Sequence, residues 1–406
     1  MSAAASSCQE CLTNLSITSL SQKTALYTAI ALGAAIPVST AADAVLLGLL
    51  LLAWLAGGNL REKIAAVRAN PSALAALAFL GLLALGMSWG EATLREGWYY
   101  LRKYQDLVLV AVLAGVIAGE RDRQLALAAF MAAMALTLVL SYAQWLGGGD
   151  NPVVFKAHIA QGTMMALAAF FAGVQALRET RLRWRLAWAA GALLAVYNVL
   201  FMLQSRTGYL VLGVLALYFC VAHWRWRGIL AAGAAGAITL AGAYLLQAPL
   251  VTGTLKATAE VRDWEKGDEA GRGGEASMGI RMNYYKTAIA ILREHPWIGV
   301  GTGGYIRAYE ARVKHNPAAV SNNPHNQYLL TGVQLGVGGL LAVVALFGVM
   351  WWHAGRLEPT TRIAARGLVA AIAAGCMFNS FLIDHGEGML FAWMAGVLFA
   401  APRRTP

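Results

Sequence analysis

Three side chains that could bind or transform an anionic substrate stand at polar breaks between long apolar segments. Arg206 lies in the stretch QSRTG (204–208), Arg281 ends SMGIR (277–281), and His325 lies in NNPHNQ (322–327). A guanidinium binds phosphate oxygens through two parallel hydrogen bonds, and a neutral imidazole can accept a proton near pH 7. The three residues therefore predict a site in which arginines hold a lipid-borne phosphate and a histidine acts as a base.

Each of these residues also has a structural interpretation. Arg206 could be an interface arginine that extends its charged end to the membrane surface, and Arg281 could form a salt bridge with a loop carboxylate such as Glu275. His325 could be a polar cap at the start of a helix. The functional interpretation is favoured for Arg206, because positive charge is disfavoured on the outward face of a membrane protein. For Arg281 both interpretations stay open.

Arg102 and Lys103 are weaker candidates for the same role. The apolar run that follows them is too short to cross a bilayer, so the fourth spanning helix is expected to begin earlier and to carry both cations in its outermost turn. Tyr99, Tyr100 and Tyr104 surround them, and an ordinary aromatic belt at the membrane surface explains such a cluster equally well. The belt is the favoured interpretation.

A second group of titratable residues follows the eleventh apolar segment. Asp384, His385 and Glu387 form an outward-facing cluster, which we rank below His325 as a source of chemistry. His295 and His315 lie within a long loop and lack a position at a helix start beside the membrane. Of these residues, Asp384 is retained as a candidate.

Two further patterns predict no site. The run GVGTGG (299–304) resembles a phosphate-binding loop, but such a run needs a strand before it and a helix after it, so close backbone packing is the favoured interpretation. Cys8 and Cys11 form a lone C-x-x-C, and Cys220 and Cys376 lie in apolar runs. We expect neither a metal site nor a structural disulfide, and no cofactor.

The composition is that of a membrane protein. Hydrophobic residues make up 58% of the chain and charged residues 13%, about half the ~25% of a soluble protein. Apolar stretches near the ~20 residues that cross a bilayer recur at about 24–38, 41–56, 73–89, 98–118, 125–146, 159–177, 186–203, 209–222, 229–246, 328–352, 363–383 and 389–401. The sequence predicts an all-α polytopic membrane protein with about 12 transmembrane helices.

Charge between the apolar segments predicts the orientation. The basic clusters fall in alternate short loops, at Arg61, Lys63 and Arg68; Arg121 and Arg123; Arg178, Arg181, Arg183 and Arg185; Arg225 and Arg227; Arg356 and Arg362; and Arg403 and Arg404. Because Lys and Arg favour the cytoplasmic side, both termini are expected there. The net charge of +11 then reflects topology, and a nucleic-acid partner is not expected.

One connection is much longer than the others. We expect a cytoplasmic N-terminal segment at 1–23, helices 1–9 within 24–246, a large outward loop at 247–326, helices 10–12 within 327–402 and a short tail at 403–406. Within the loop, apolar spacing predicts a surface helix from Met282 to Leu292, and the Gly-rich stretch Lys266–Gly279 is expected to be a lid or linker.

These features together resemble the bacterial O-antigen ligases and the related O-antigen polymerases and protein O-oligosaccharyltransferases. The likeness is carried by the turn SRTG (205–208), the Arg281 helix running into PWIGVGTG (296–303), and His325-Asn326 followed after nine residues by GVGG (336–339). The twelve-helix layout with a large periplasmic loop between helices 9 and 10, a GT-C-like arrangement, extends the resemblance to the whole chain.

The resemblance implies a glycosyltransferase of lipopolysaccharide biosynthesis in the Gram-negative inner membrane. It would transfer a glycan from undecaprenyl pyrophosphate to lipid A-core at the periplasmic face, without a metal ion. In the family, the residues that match Arg206 and Arg281 bind pyrophosphate, and the residue that matches His325 is catalytic. Arg102, Lys103 and Asp384 are carried only as candidates.

Two other functions remain open at this stage. An O-antigen polymerase would use the same chemistry with a second lipid-linked glycan as the acceptor. A transporter of lipids or sugars is a different class of protein, and transporters usually show internal repeats and charged residues within their spans. The sequence has no internal repeat and keeps most charges at segment ends, which disfavours transport.

Overall fold

The computed structural model describes residues 2–265, 277–313 and 321–400, with the side chains of 2–18 and of 277 excepted. In these ranges every regular element is helical. The α-helices are α1 (Ser2–Val38), α2 (Thr40–Ala56), α3 (Leu60–Arg68), α4 (Pro71–Leu85), α5 (Leu94–Lys103), α6 (Val108–Val116), α7 (Glu120–Leu146), α8 (His158–Arg178), α9 (Leu182–Tyr197), α10 (Arg206–Trp224), α11 (Trp226–Leu245), α12 (Pro249–Glu265), α13 (Ser277–Glu294), α14 (Tyr305–Arg312), α15 (Gln327–Ala354), α16 (Pro359–Gly375) and α17 (His385–Phe399).

The helices confirm an all-α polytopic membrane protein. Seven helices in the described part of the chain are long and apolar enough to cross a bilayer, or up to eight when α2 and α3, bent by 115°, count as one broken span. Each of the twelve predicted apolar segments overlaps a helix. Helices α2, α16 and α17 have only 17, 17 and 15 residues, short of the ~20 of a full crossing, so the number twelve stays a prediction.

The short helix α17 is the centre of the bundle. It packs against α1, α4, α6, α7, α8 and α16, and the side chains from Glu387 to Phe399 are buried. Trp393 is fully buried, and its indole N–H donates to the carbonyl of Ala29 at 2.8 Å. A helix that is apolar all round suits such a position. The first residues of α17 therefore hold a fixed place at one end of the bundle.

The chain breaks where the fourth spanning helix was expected to begin. Lys103 ends α5, a 3₁₀ turn follows at Gln105–Leu107, and α6 begins at Val108. Helix α5 has its own start, because Thr93 and Glu96 form a capping box. The prediction that Arg102 and Lys103 lie in the outermost turn of one continuous spanning helix is therefore wrong. They lie in the last turn of a separate helix.

Three helices, α12, α13 and α14, lie in the described parts of the long connection. The predicted helix Met282–Leu292 is confirmed and lies within α13, which ends just before His295 and Pro296. Helices α12 and α13 pack on each other, and α13 also packs on α14 and α15. Most of the predicted linker, from Lys266 to residue 276, lies outside the described residues. The connection thus places α13 over the start of α15.

The glycine run after α13 packs closely, as predicted. The amides of Val300, Gly301 and Thr302 donate to backbone carbonyls of Val333, Gln334 and Gly86, and the amide of Gly303 donates to the side chain of Gln334. These four N–H groups bind protein and do not form a phosphate cradle. Helix α15 kinks opposite this run at Gly336 (φ 64°), where a Cβ would lie 2.4 Å from the carbonyl carbon of Trp297.

Candidate active site

His325 sits in a tight turn just before α15. Its backbone adopts the left-handed conformation (φ 52°), which is uncommon for a residue with a side chain and costs of order 1 kcal/mol. The turn is held because the His325 amide donates to Oδ1 of Asn323 at 2.9 Å, and its carbonyl accepts from the hydroxyl of Tyr285 at 3.3 Å. The half-buried ring stacks on Tyr284, with centroids 6.2 Å apart. The imidazole therefore has a defined direction.

The connection between α16 and α17 lies against this turn and binds it at several points. The Cys376 and Met377 carbonyls accept from the Gln327 amide and the Asn326 side chain, at 2.8 and 2.7 Å. Next along the connection, Oδ1 of Asn379 lies 3.1 Å from Nδ1 of His325. The backbone before α15 and the His325 ring are thus held by one short segment.

Arg281 reaches the same segment from α13. Its Nη1 donates to the carbonyl of Phe378 at 3.3 Å, one residue before Asn379. His158, the first residue of α8, lies close enough to Arg281 for their charges to interact. The functional interpretation of Arg281 gains support from this position, whereas Glu275, the salt-bridge partner considered for it, lies outside the described residues.

Arg206 approaches from α10 and shares a carboxylate with the loop. Nη1 of Arg206 lies 3.9 Å from Oε2 of Glu260 on α12. The same oxygen accepts from the amide of Met278 at 2.8 Å, at the start of α13. The Glu260 side chain is 9% exposed, and its other oxygen, Oε1, has no hydrogen-bond partner in the described part of the chain. Glu260 therefore links Arg206 to the helix that carries Arg281.

The electrostatics of the cluster favour binding of an anion. Burial lowers the pKa of Arg281, and the charge of Arg206 lowers it further, because two nearby cations repel each other. Burial also lowers the pKa of His325, as does the charge of Arg281, against the hydrogen bond with Asn379, which raises it. An arriving phosphate group would relieve the repulsion between the arginines. Because its pKa is lowered, His325 stays neutral, and able to accept a proton, to a lower pH than an ordinary histidine does.

Lys103 and Asp384 lie close enough for their charges to interact. Lys103 lies over the rings of Tyr99 and Tyr100, with its ammonium 4.8 and 5.6 Å from their centroids. Burial raises the pKa of Asp384 to about 6, and the nearby Lys103 opposes that rise. The Tyr100 hydroxyl donates to the carbonyl of Asn322 at 2.6 Å, which joins α5 to the turn that carries His325. Tyr100 thus contacts both the ammonium of Lys103 and the backbone of the turn that carries His325.

Other residues singled out from the sequence lie elsewhere. Arg102 is exposed on α5. His295 is exposed just beyond α13, about 21 Å along that helix from Arg281 at 1.5 Å per residue. His315 and the side chains of Cys8 and Cys11 lie outside the described residues. No group of three or more His, Cys, Asp or Glu in the described ranges is arranged to hold a metal ion.

His385 belongs to a separate ionic cluster that joins four parts of the bundle. Its Nε2 lies 2.8 Å from Oδ1 of Asp43 and its Nδ1 lies 4.0 Å from Oδ2 of Asp106. The ammonium of Lys156 lies 3.5 Å from the other oxygen of Asp43, which is fully buried. These contacts tie α2, the turn before α6, the connection before α8 and the start of α17 together.

Sequence reasoning missed several members of the candidate site. Asn379, Tyr285, Glu260 and His158 come from four elements that meet only in the folded chain. Tyr284 stood in a helix that was predicted, and its spacing of three residues from Arg281 was a usable signal, since residues three apart share a helix face. Asn379 gave no signal, because asparagine is common in connections between helices.

Comparison with known protein families bears on the same region. The model of a family described as O-antigen ligase matches residues 189–344, a stretch that includes Arg206, Arg281 and His325 and ends before Asn379. The resemblance inferred from the motifs is confirmed over these residues. A comparison with curated proteins finds no match.

Proposed function

We propose that this protein is an O-antigen ligase, and the match of residues 189–344 to the family described as O-antigen ligase supports the proposal. It transfers a glycan from undecaprenyl pyrophosphate to the core oligosaccharide of lipid A in lipopolysaccharide biosynthesis. Arg206 and Arg281 bind the pyrophosphate, and His325 is the catalytic base. The observation that carries the proposal is that Arg281 and His325 contact consecutive residues of one connection, while Arg206 is joined to the start of α13 through Glu260.

The charges of the site match the proposed leaving group. A pyrophosphate diester carries about two negative charges, and fixed cations stabilise the charge that develops as the anomeric bond breaks. Two guanidinium groups supply that counter-charge through paired hydrogen bonds, so we propose that the transfer needs no metal ion or cofactor. Lys103, beside Asp384, is retained as a further cation for the lipid-linked substrate, and Arg102 as a weaker one.

The transfer is written as one displacement. His325 takes the proton of the acceptor hydroxyl, the oxygen bonds to the anomeric carbon, and the bond from that carbon to the pyrophosphate oxygen breaks. The electron pair of the broken bond stays with undecaprenyl pyrophosphate, which the arginines hold. Proton removal by a positioned histidine contributes ~10² to 10⁴-fold. A single displacement inverts the anomeric centre.

The membrane arrangement forms part of the proposal. Twelve crossings with both termini in the cytoplasm put α12, α13 and the turn of His325 on the periplasmic side of the Gram-negative inner membrane. The alternation of basic loops supports this orientation. Both lipid-anchored substrates then reach Arg206, Arg281 and His325 by diffusion in the bilayer, with their sugars in the periplasm.

Reconstitution with and without lipid A-core tests the proposal. Purified protein in lipid nanodiscs, with chelator present, is given undecaprenyl-pyrophosphate-linked glycan with or without lipid A-core. A ligase forms glycosylated lipid A-core and leaves the donor unchanged when the acceptor is omitted, and His325→Ala abolishes the product. Lengthening of the lipid-linked glycan without lipid A-core would instead identify a polymerase. In a second preparation, with the protein in sealed vesicles, flux of the donor across the membrane without any glycan transfer would identify a transporter.

A further inference from the structure

The two ring nitrogens of His325 have different surroundings. Nδ1 lies 3.1 Å from the side-chain oxygen of Asn379. An amide oxygen has lone pairs and no proton, so it can only accept a hydrogen bond. The bond therefore exists only when Nδ1 carries a proton. In the neutral ring, the lone pair that can take up another proton is then on Nε2.

Asn379 is well placed to impose this choice. Asn379 is 5% exposed, and its backbone N–H donates to the carbonyl of Gly375 at 2.9 Å. The fully buried ring of Phe381 covers Gly375 so closely that a Cβ there would lie 2.0 Å from a ring carbon. The hydroxyl of Ser380 donates to Asn323 at 2.7 Å. The amide oxygen thus rests on a closely packed connection.

The same connection also orients the candidate leaving-group ligand. Phe378, which accepts from Arg281 at 3.3 Å, and Asn379, which contacts His325, are consecutive residues. A displacement requires the base and the groups that hold the leaving group to keep a fixed geometry. Two adjacent residues of one turn supply both contacts. The positions of the His325 imidazole and the Arg281 guanidinium are thereby fixed relative to each other.

We propose that Asn379 is a positioning residue for the transfer reaction, whose side-chain carbonyl holds His325 as the Nδ1–H tautomer and presents the Nε2 lone pair to the acceptor hydroxyl. The inference rests on the proposed function. During the reaction the acceptor proton moves to Nε2, and the Nδ1 proton stays on its bond to Asn379. The resulting imidazolium returns the Nε2 proton to water after the glycan has been transferred.

An amide suits this position better than a carboxylate does. An aspartate would also orient the ring, but its negative charge would stabilise the imidazolium and raise the pKa of His325. The neutral amide orients the base without keeping it protonated. The positive charge of Arg281 on α13 acts in the same direction, because it lowers the pKa of His325.

Two substitutions separate orientation from mere structural support. Asn379→Ala is expected to lower kcat roughly 10- to 100-fold, with KM for the lipid-linked donor nearly unchanged, because the wrong tautomer becomes accessible. Asn379→Asp is expected to keep the tautomer and move the acidic limb of the kcat/KM profile upward by about one pH unit. Met377→Leu, a change of an exposed side chain on the same connection that leaves the backbone contacts and the ring contact intact, is the matched control and is expected to retain wild-type kcat and pH profile.

Nuclear magnetic resonance of ¹⁵N-histidine-labelled protein in nanodiscs gives a readout that does not need turnover. The His325 signals, assigned by their loss in His325→Ala, are expected to show a protonated Nδ1 and an unprotonated Nε2. If the wild-type enzyme is active but His325 is the Nε2–H tautomer, the inference is overturned and the proposed function is not. The same holds if Asn379→Asp is active and its pH profile is unshifted. A wild-type protein with the expected tautomer that transfers no glycan overturns the proposed function, and the inferred role fails with it.

Discussion

Replacing Arg281 by Lys keeps a positive charge in the site and removes the planar fork of donors. In the structure, Nη1 of Arg281 donates to the carbonyl of Phe378 at 3.3 Å, one residue before Asn379, which contacts His325. A lysine ammonium is a point charge that cannot make both the carbonyl contact and a paired bond to phosphate. The substitution therefore tests geometry at constant charge.

The expected loss follows from the bonds removed. A hydrogen bond to a charged group contributes about 1.5 to 3 kcal/mol, and about 1.4 kcal/mol corresponds to a tenfold change in rate. Arg281→Lys should therefore lower kcat/KM for the lipid-linked donor roughly 10- to 100-fold, since one bond of the pair is lost. Arg281→Ala should lower it further, because the charge is lost as well.

The assay is transfer of a labelled glycan from undecaprenyl pyrophosphate to lipid A-core at subsaturating donor. Arg307→Lys is the matched control, because the guanidinium of Arg307 lies on α14 and pairs with Glu96 at 2.9 Å. This exposed pair should matter little, and the control should stay near wild-type activity. If Arg281→Lys also keeps wild-type kcat/KM, the assignment of Arg281 to the pyrophosphate is wrong.

Three further outcomes are expected. The lowered pKa of His325 keeps the base neutral below its ordinary value, so the acidic limb of the kcat/KM profile should lie below pH ~6.5, and Arg281→Ala should move it upward; a limb that does not move contradicts the proximity of the two residues. Gly301→Ala should lower the midpoint temperature of unfolding, since φ is +83° and a Cβ would lie 2.1 Å from a backbone carbonyl oxygen, whereas Gly338→Ala, with open space around it, should not; equal midpoints would refute the packing argument. Asp43→Ala should cost about 3 kcal/mol of unfolding free energy, because it leaves the ammonium and imidazole that Asp43 contacts without their carboxylate, and an unchanged midpoint would show that the cluster is not stabilising.

The all-helical membrane architecture was predictable from the sequence because the bilayer imposes a simple rule, and the same rule singled out the three candidate residues. Long apolar runs become helices, and polar residues that break them collect at the two faces. Arg206 and His325 stood at such breaks, and Arg281 stood in the predicted helix of the long loop. Their meeting in the structure required that α12 contact α10 and that α13 pack on α12 and on α15.

Features that depend on side-chain packing were not predictable in the same way. The contact between His325 and Asn379 joins residues 54 positions apart and depends on how the turn after α16 closes. The break between α5 and α6 was missed because an amphipathic helix and a short apolar helix follow each other without a proline or glycine at the junction. Lys103 and Asp384 were proposed separately, because no pattern in the sequence indicates that two residues so far apart along the chain interact.

The most direct test of the account measures donor binding and donor turnover in the same preparations of wild-type protein and His325→Ala. The account predicts that both proteins bind undecaprenyl-pyrophosphate-linked glycan with similar Kd, because the arginines hold the pyrophosphate, and that only the wild-type protein releases undecaprenyl pyrophosphate with formation of glycosylated lipid A-core. Turnover by His325→Ala within tenfold of the wild-type rate, a smaller loss than the ~10² to 10⁴-fold that a positioned base contributes, would contradict the central claim that His325 is the base of the transfer.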